Sequence, residues 1–265
     1  WNGEKMQIKK IIRCQVVYIL LVVLFVLAVI FNINTGNVHI SPARIFRIIF
    51  LHGDMGTPEY NIIWKIRLPR VLMAGILGGA LALSGFLLQT FFSNPIAGPY
   101  VLGISSGAKM MVALAMIIFL KYYTLVSSYI LIIAAFIGSM LSIGFILLLA
   151  RKIRNMATLL VGGIMIGYIC SAVTDFVVTF AEDSDIVNLH GWSQGSFSGM
   201  SWSNVKVAAL MVGITLILTF FLSKPIGAYQ LGEMYAQSMG VNIRVFRVLL
   251  ILLSSVFSAC VTAFA

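Results

Sequence analysis

The chain has 265 residues, 60% of them hydrophobic and only 10% charged, whereas a soluble domain carries roughly a quarter charged residues; an ordinary water-soluble fold is excluded. Eighteen basic against eight acidic residues give a formal charge of +10, but the basic residues lie mainly in short connections between apolar runs. Membrane topology and docking account for that placement, and no nucleic-acid partner is expected.

Apolar runs long enough to cross a hydrocarbon core of about 30 Å recur along the whole chain. In order they predict seven transmembrane helices, at residues 16–33, 71–92, 100–120, 125–150, 157–181, 205–222 and 245–265. The first run continues after Arg13 with no small-residue cleavage site, so it reads as a retained span and not as a signal peptide. Met6 is expected to be the native start. The expected fold class is all-α, a polytopic transmembrane helical bundle forming a single domain over residues 1–265.

With the N-terminus inside, Lys5, Lys9, Lys10, Arg13, Arg151, Lys152, Arg154, Lys224, Arg244 and Arg247 face the cytoplasm, ten of the eighteen basic residues. Outside fall Arg44, Arg47, Lys65, Arg67, Arg70, Lys121 and Lys206, five of them in the one loop before the second span. The reverse orientation would place only these seven inside, so the basic outer loop reads as a place where something acidic meets the protein. The acidic stretch Glu182-Asp183-Ser184-Asp185 also lies outside, where the orientation rule barely penalises it.

Small residues recur four apart as Gly75 with Gly79, Gly163 with Gly167, and Gly191, Gly195 and Gly199, a spacing that lets helix backbones approach closely in lipid. The prolines fall between spans or at their ends, so no span is expected to be proline-kinked. Cys14, Cys170 and Cys260 have no disulfide or metal spacing and read as packing residues. His39, His52 and His190 lack metal-ligand spacing, no HExxH occurs, and no glycine-rich loop ends in Gly-Lys-Ser/Thr. No catalytic residue, metal site or cofactor is therefore expected in this chain.

Two stretches between spans carry unusual chemistry. Arg67-Leu68-Pro69-Arg70 opens the second span, with proline where a helix start tolerates it and two arginines on neighbouring points of one face. They read either as arginines snorkelling at a helix end or as a bidentate clasp for carboxylates on a soluble partner. Between the second and third spans, two prolines and several polar residues interrupt the apolar pattern over residues 89–108. Non-helical backbone near membrane depth is tolerated only where protein or water satisfies it.

Four blocks in order, RLPR at 67–70, GxxLALSGxxxQxxFxNPIAxPxxLGISSGA at 78–108, GWSQGSF at 191–197 and LGEMYAQSMGV at 231–241, resemble the FecCD-type permeases. These are the membrane subunits of bacterial ABC importers for ferric siderophores, haem and vitamin B12. The resemblance implies a type II importer in the bacterial cytoplasmic membrane. Two permease subunits, identical or related, form the pathway; cytoplasmic ATPases holding ATP-Mg drive it; an extracytoplasmic binding protein delivers a metal chelate. It implies that Arg67 and Arg70 dock the binding protein, and that Asn94-Pro95-Ile96, with Ile where the family has Leu, forms a gate at the cytoplasmic mouth. It also implies a cytoplasmic coupling segment within residues 229–243, with Leu231, Gly232, Glu233, Ala236, Met239, Gly240 and Val241 meeting the ATPase; the other reading is an amphipathic connector. Family members have about ten spans, so the chain reads as truncated at its C-terminus.

Asp175 and Lys109 are charges inside apolar runs, where an ionised group is costly unless paired or hydrated. Since the resemblance places the fifth helix along the pathway, Asp175 is expected to line the outer cavity; pairing with Thr174 or Thr179 is the other reading. Lys109 sits roughly 13 Å from the inner end of its span and Asp175 about 27 Å from that of its own, so the two are not expected to pair. Among other classes, a retinal protein is excluded because residues 245–265 contain Arg247 but no lysine. A sensor or channel outside the ABC class would have no need of the 231–241 segment.

Overall fold

The computed structural model describes residues 2–36, 38, 40–51, 53, 55–120, 128–153 and 155–264. His39, His52, Lys121, Arg154, Ala265 and the predicted start of the fourth span at Leu125 lie outside the described residues. Every regular element among the described residues is helical. Two units separate, residues 1–72 with 200–202 and residues 73–199 with 203–265.

The first unit begins with α1 (Asn2–Asn34), whose residues from Lys9 on are exposed almost throughout. The connection expected as a loop is largely helical. It forms α2 (Pro42–Leu51), α3 (Pro58–Asn61) and a π-helical turn, Ile62–Arg67, that runs directly into α4 (Leu68–Phe92). Thr57 starts α3 by accepting the Tyr60 amide on its hydroxyl at 3.3 Å, with Pro58 just inside the helix. Ile40, Ile48 and Ile63 form the buried core of this region. The π turn leaves the Trp64 carbonyl open to the Trp202 indole, which donates to it at 2.8 Å.

In the second unit α5 (Ile104–Leu120) packs on α6 (Ser128–Lys152), α7 (Met156–Val178) and α12 (Ile243–Phe264). Glycine makes this possible. Gly107 faces Gly138 and Ser142 so closely that a Cβ at Gly107 would lie 2.7 Å from the Gly138 carbonyl oxygen. Gly103, at φ +70°, lies against Gly163 and Gly167, and a Cβ there would come within 2.6 Å of the Gly167 nitrogen. Of the small-residue spacings singled out in the sequence, Gly163 with Gly167 sits at such a contact, while Gly79, Gly191 and Gly199 face open space. Ser84 on α4 and Ser254 on α12 bond reciprocally, each hydroxyl donating to the other residue's carbonyl, at 2.8 and 3.0 Å.

Six helices among the described residues are long and apolar enough to cross a membrane, against the seven predicted. The remaining one is the third span, expected over 100–120, whose helix is described over Ile104–Leu120 and so starts four residues later than expected. Its start meets Gly167, about 16 Å along α7 from Met156, near that helix's midpoint. Residues 93–103 thus run as irregular backbone to that depth, satisfied by turn bonds such as Val101 to Gly98 at 3.1 Å and Gly103 to Tyr100 at 3.2 Å. The remaining elements are α8 (Asp183–Ser193), α9 (Trp202–Phe221), α10 (Ser223–Gln230) and α11 (Glu233–Ser238). The acidic stretch opens α8, where Asp183 and Asp185 meet the positive end of the helix dipole.

Candidate functional site

A cavity of about 600 Å3 opens among four elements of the second unit. The start of α5 contributes Ser105, Ser106 and Lys109, and the C-terminal half of α7 contributes Ser171 and Thr174. Trp192 through Phe197, at the end of α8 and just beyond, close another wall, and Val261 with Thr262 of α12 the last. Gly195, at φ +74°, reverses the chain after α8, its amide bonded to the Trp192 carbonyl at 3.1 Å. Thr174 and Thr262 donate their hydroxyl protons back to Cys170 and Ser258, at 2.8 and 3.0 Å, which leaves acceptor lone pairs toward the cavity. A smaller cavity of about 200 Å3 shares Tyr100, Ser106 and Ser171 with it and reaches Tyr168 past Gly167. Both are lined mostly by hydroxyls, aromatic rings and backbone; Lys109 is the one charged residue among their lining.

Asn94, Pro95 and Ile96 form a tight turn after α4. Ser93 takes a left-handed conformation, φ 49°, and the Asn94 side-chain oxygen accepts the Ile96 amide at 2.9 Å. Ala97 and Pro99 are buried, so the turn is anchored on one side while Ile96, 77% exposed, stands at its tip.

The 231–241 segment is an exposed elbow. Gly232, at φ +129°, breaks the chain between α10 and α11, and Gly240, at φ +84°, ends α11. Ala236 is fully buried, whereas Leu231 and Met234 are 73% and 86% exposed. Glu233 pairs with Arg247 of α12 at 2.7 Å, and the Tyr229 and Phe246 rings pack 5.3 Å apart, so the elbow is held against α12 with its apolar side chains outward.

Arg67 is placed differently from the expectation that it faces a partner. Only 8% exposed, it donates through Nη1 to the Ile33 carbonyl at 2.7 Å and through Nη2 to the Val38 carbonyl at 2.6 Å. Its guanidinium is occupied within the chain. Arg70 is half-buried and Lys65 exposed. Asp175 lies on an exposed face of α7 and does not line this cavity; its neighbour Thr174, about 100° around the helix, does. The Thr179 hydroxyl bonds the Asp175 carbonyl at 3.0 Å, not its carboxylate.

Neither Met234 nor the cavity hydroxyls stand out as site residues in the sequence. The signals were present, since Met234 sits inside the 231–241 block, Ser105 and Ser106 in LGISSGA, and Trp192 to Phe197 in GWSQGSF.

Long apolar helices, one of which starts beside a polar cavity in mid-helix packing, define a polytopic membrane protein of the transport class. The chain belongs to the FecCD transport family, which it matches over residues 21–265. It is 34% identical over 244 residues to the hemin transport system permease protein HmuU of Yersinia pestis, an alignment covering 92% of this chain and 72% of the relative. It is 32% identical over 232 residues to the vitamin B12 import system permease protein BtuC of Escherichia coli, covering 86% of this chain and 66% of the relative. A solved metal-chelate type ABC transporter in an inward-facing conformation shares the fold, with a TM-score of 0.77 and 24% identity over 92% of this chain and 73% of that one.

Proposed function

We propose that the chain is the membrane-spanning permease subunit of an ABC importer that carries a metal chelate across the bacterial cytoplasmic membrane. The observation that carries this reading is the polar cavity on the mid-helix start of α5, a discontinuity of the kind that builds substrate sites in transporters. A ferric siderophore is the cargo inferred from the sequence blocks; haem and vitamin B12, named for relatives, fit the same reading.

ATP hydrolysis belongs to a separate partner chain holding ATP-Mg, on which the α11 elbow seats through Leu231, Met234 and Met239. A second permease subunit completes the pathway, and Asp175 is assigned to a face of α7 that this subunit or pathway water covers. Ile96 acts at the inner mouth. An extracytoplasmic binding protein docks on the basic region through Arg70 and Lys65, with Arg67 holding the backbone beneath them. ATP-driven rocking of the helices about the cavity moves the cargo.

The test is uptake of radiolabelled ferric siderophore, haem or cobalamin into proteoliposomes holding the full permease, its ATPase and its binding protein. Accumulation that requires both ATP and the binding protein is expected. A stable complex that accumulates none of the three would move the cargo outside this class.

A further inference from the structure

Lys109 stands out among the groups that the transport reading does not use. A lysine in an apolar helix is costly in hydrocarbon and persists where it meets water or an opposite charge. Here it lines a cavity of about 600 Å3, within the range of roughly 300–1,000 Å3 typical of small-molecule sites. No aspartate or glutamate lines that cavity or the smaller one beside it. The intramembrane carboxylate Asp175 points elsewhere, so Lys109 is not neutralised by it. In the same lining, Ser105, Ser106 and Ser171 supply hydroxyls that can donate to or accept from a polar cargo, and Thr174, whose proton goes to the Cys170 carbonyl, can accept.

We infer that the cavity selects an anionic metal chelate, one whose carboxylate or catecholate oxygens meet Lys109 while its apolar body lies against Tyr100, Trp192 and Phe197. This deepens the transport reading and rests on it. A chelate with the same body and no negative charge leaves the ammonium uncompensated as the site closes, which disfavours it. The lone cation thereby sets the sign of the cargo, and the hydroxyls and rings accept a range of shapes.

The permease–ATPase complex in lipid nanodiscs, without nucleotide, is titrated with haemin, which bears two propionates, and with its dimethyl ester, which keeps ring and metal but loses both charges. A ferric tris-catecholate and a neutral ferric tris-hydroxamate form a second pair. The anionic member of at least one pair is expected to bind about tenfold more tightly. Lys109→Gln abolishes that preference without weakening the neutral member, and Lys109→Arg retains it. Equal binding within both pairs, a preference that survives in Lys109→Gln, or no binding of any probe overturns the inference. Failure of the transport reading is read separately, as absence of ATP-driven uptake of every chelate in proteoliposomes. Uptake of anionic chelates unchanged by Lys109→Gln would sink the inference and leave transport standing.

Discussion

The Arg67 guanidinium donates to the Ile33 carbonyl at 2.7 Å, joining the π-helical turn to the last turn of α1. Helix C-termini leave carbonyls without intrahelical partners, and a cation there also meets the negative end of the helix dipole. Gly36 leaves room for the arrangement, since a Cβ at that position would lie 2.5 Å from Arg67 Nη2. The π-helical turn places Ile63 and Arg67 on one buried face, so the same local geometry fills the core and aims the arginine.

Replacing Arg67 with alanine is expected to cost about 1–3 kcal/mol, because the buried Ile33 carbonyl and the partly buried Val38 carbonyl lose a charged donor. Lower thermal stability in detergent should accompany the loss. Lys65→Glu, at an exposed position, should instead leave the melting temperature nearly unchanged and weaken binding-protein affinity by reversing a favourable charge. A stable Arg67→Ala protein that fails only in docking would show that the buried clamp contributes little.

Gly138→Ala should force α5 and α6 apart, since its new Cβ would collide with the Gly107 carbonyl. Overpacking of this kind costs about 1–3 kcal/mol. Gly144→Ala, with nothing within 4 Å of its Cβ, is the control on the same helix. Thermal melts of the two variants side by side decide the matter, and equal melting temperatures would contradict the close approach.

At the elbow, Met234→Asp and Leu231→Asp alter exposed side chains and should shift folding stability by no more than about 0.5 kcal/mol. Their effect should fall on the ATPase partner, as loss of co-purification and a drop of roughly tenfold or more in ATP-driven uptake. Ala236→Asp, which buries a charge, should unfold the elbow and is not informative about docking. Wild-type co-purification of Met234→Asp would remove this face from the interface.

Ser84 and Ser254 provide a measurable polar link between α4 and α12. A double-mutant cycle with alanine should give a coupling of about 0.6 kcal/mol, with roughly 1.7 as the upper end seen for hydrogen bonds inside membranes. Zero coupling in unfolding measurements would mean that water or other partners serve both hydroxyls equally well.

Much of this protein was legible in composition and periodicity. Residues 16–33, 205–222 and 245–265 announced helices that α1, α9 and α12 contain almost whole, because a lipid-spanning helix must be apolar over its own length. The late start of the third helix was not visible. Tyr100 through Gly103 are as apolar as a helical turn, and only the Gly103 contact with Gly163 and Gly167 shows why the helix begins later. Nor did hydropathy show α2 or α8, short helices without a full apolar run.

By itself the sequence determined the membrane class, the family blocks and the presence of two costly charges, Lys109 and Asp175, within apolar runs. Tertiary structure alone decided which way those charges face and where Arg67 spends its hydrogen bonds. Lys109 meets a cavity whose lining runs from Tyr100 to Thr262, Asp175 turns outward one residue from Thr174, and Arg67 reaches a carbonyl 34 residues earlier in the chain. Hydropathy is a property of consecutive residues, whereas a side chain's surroundings depend on each helix's rotation about its own axis and on which backbone groups its neighbours leave open.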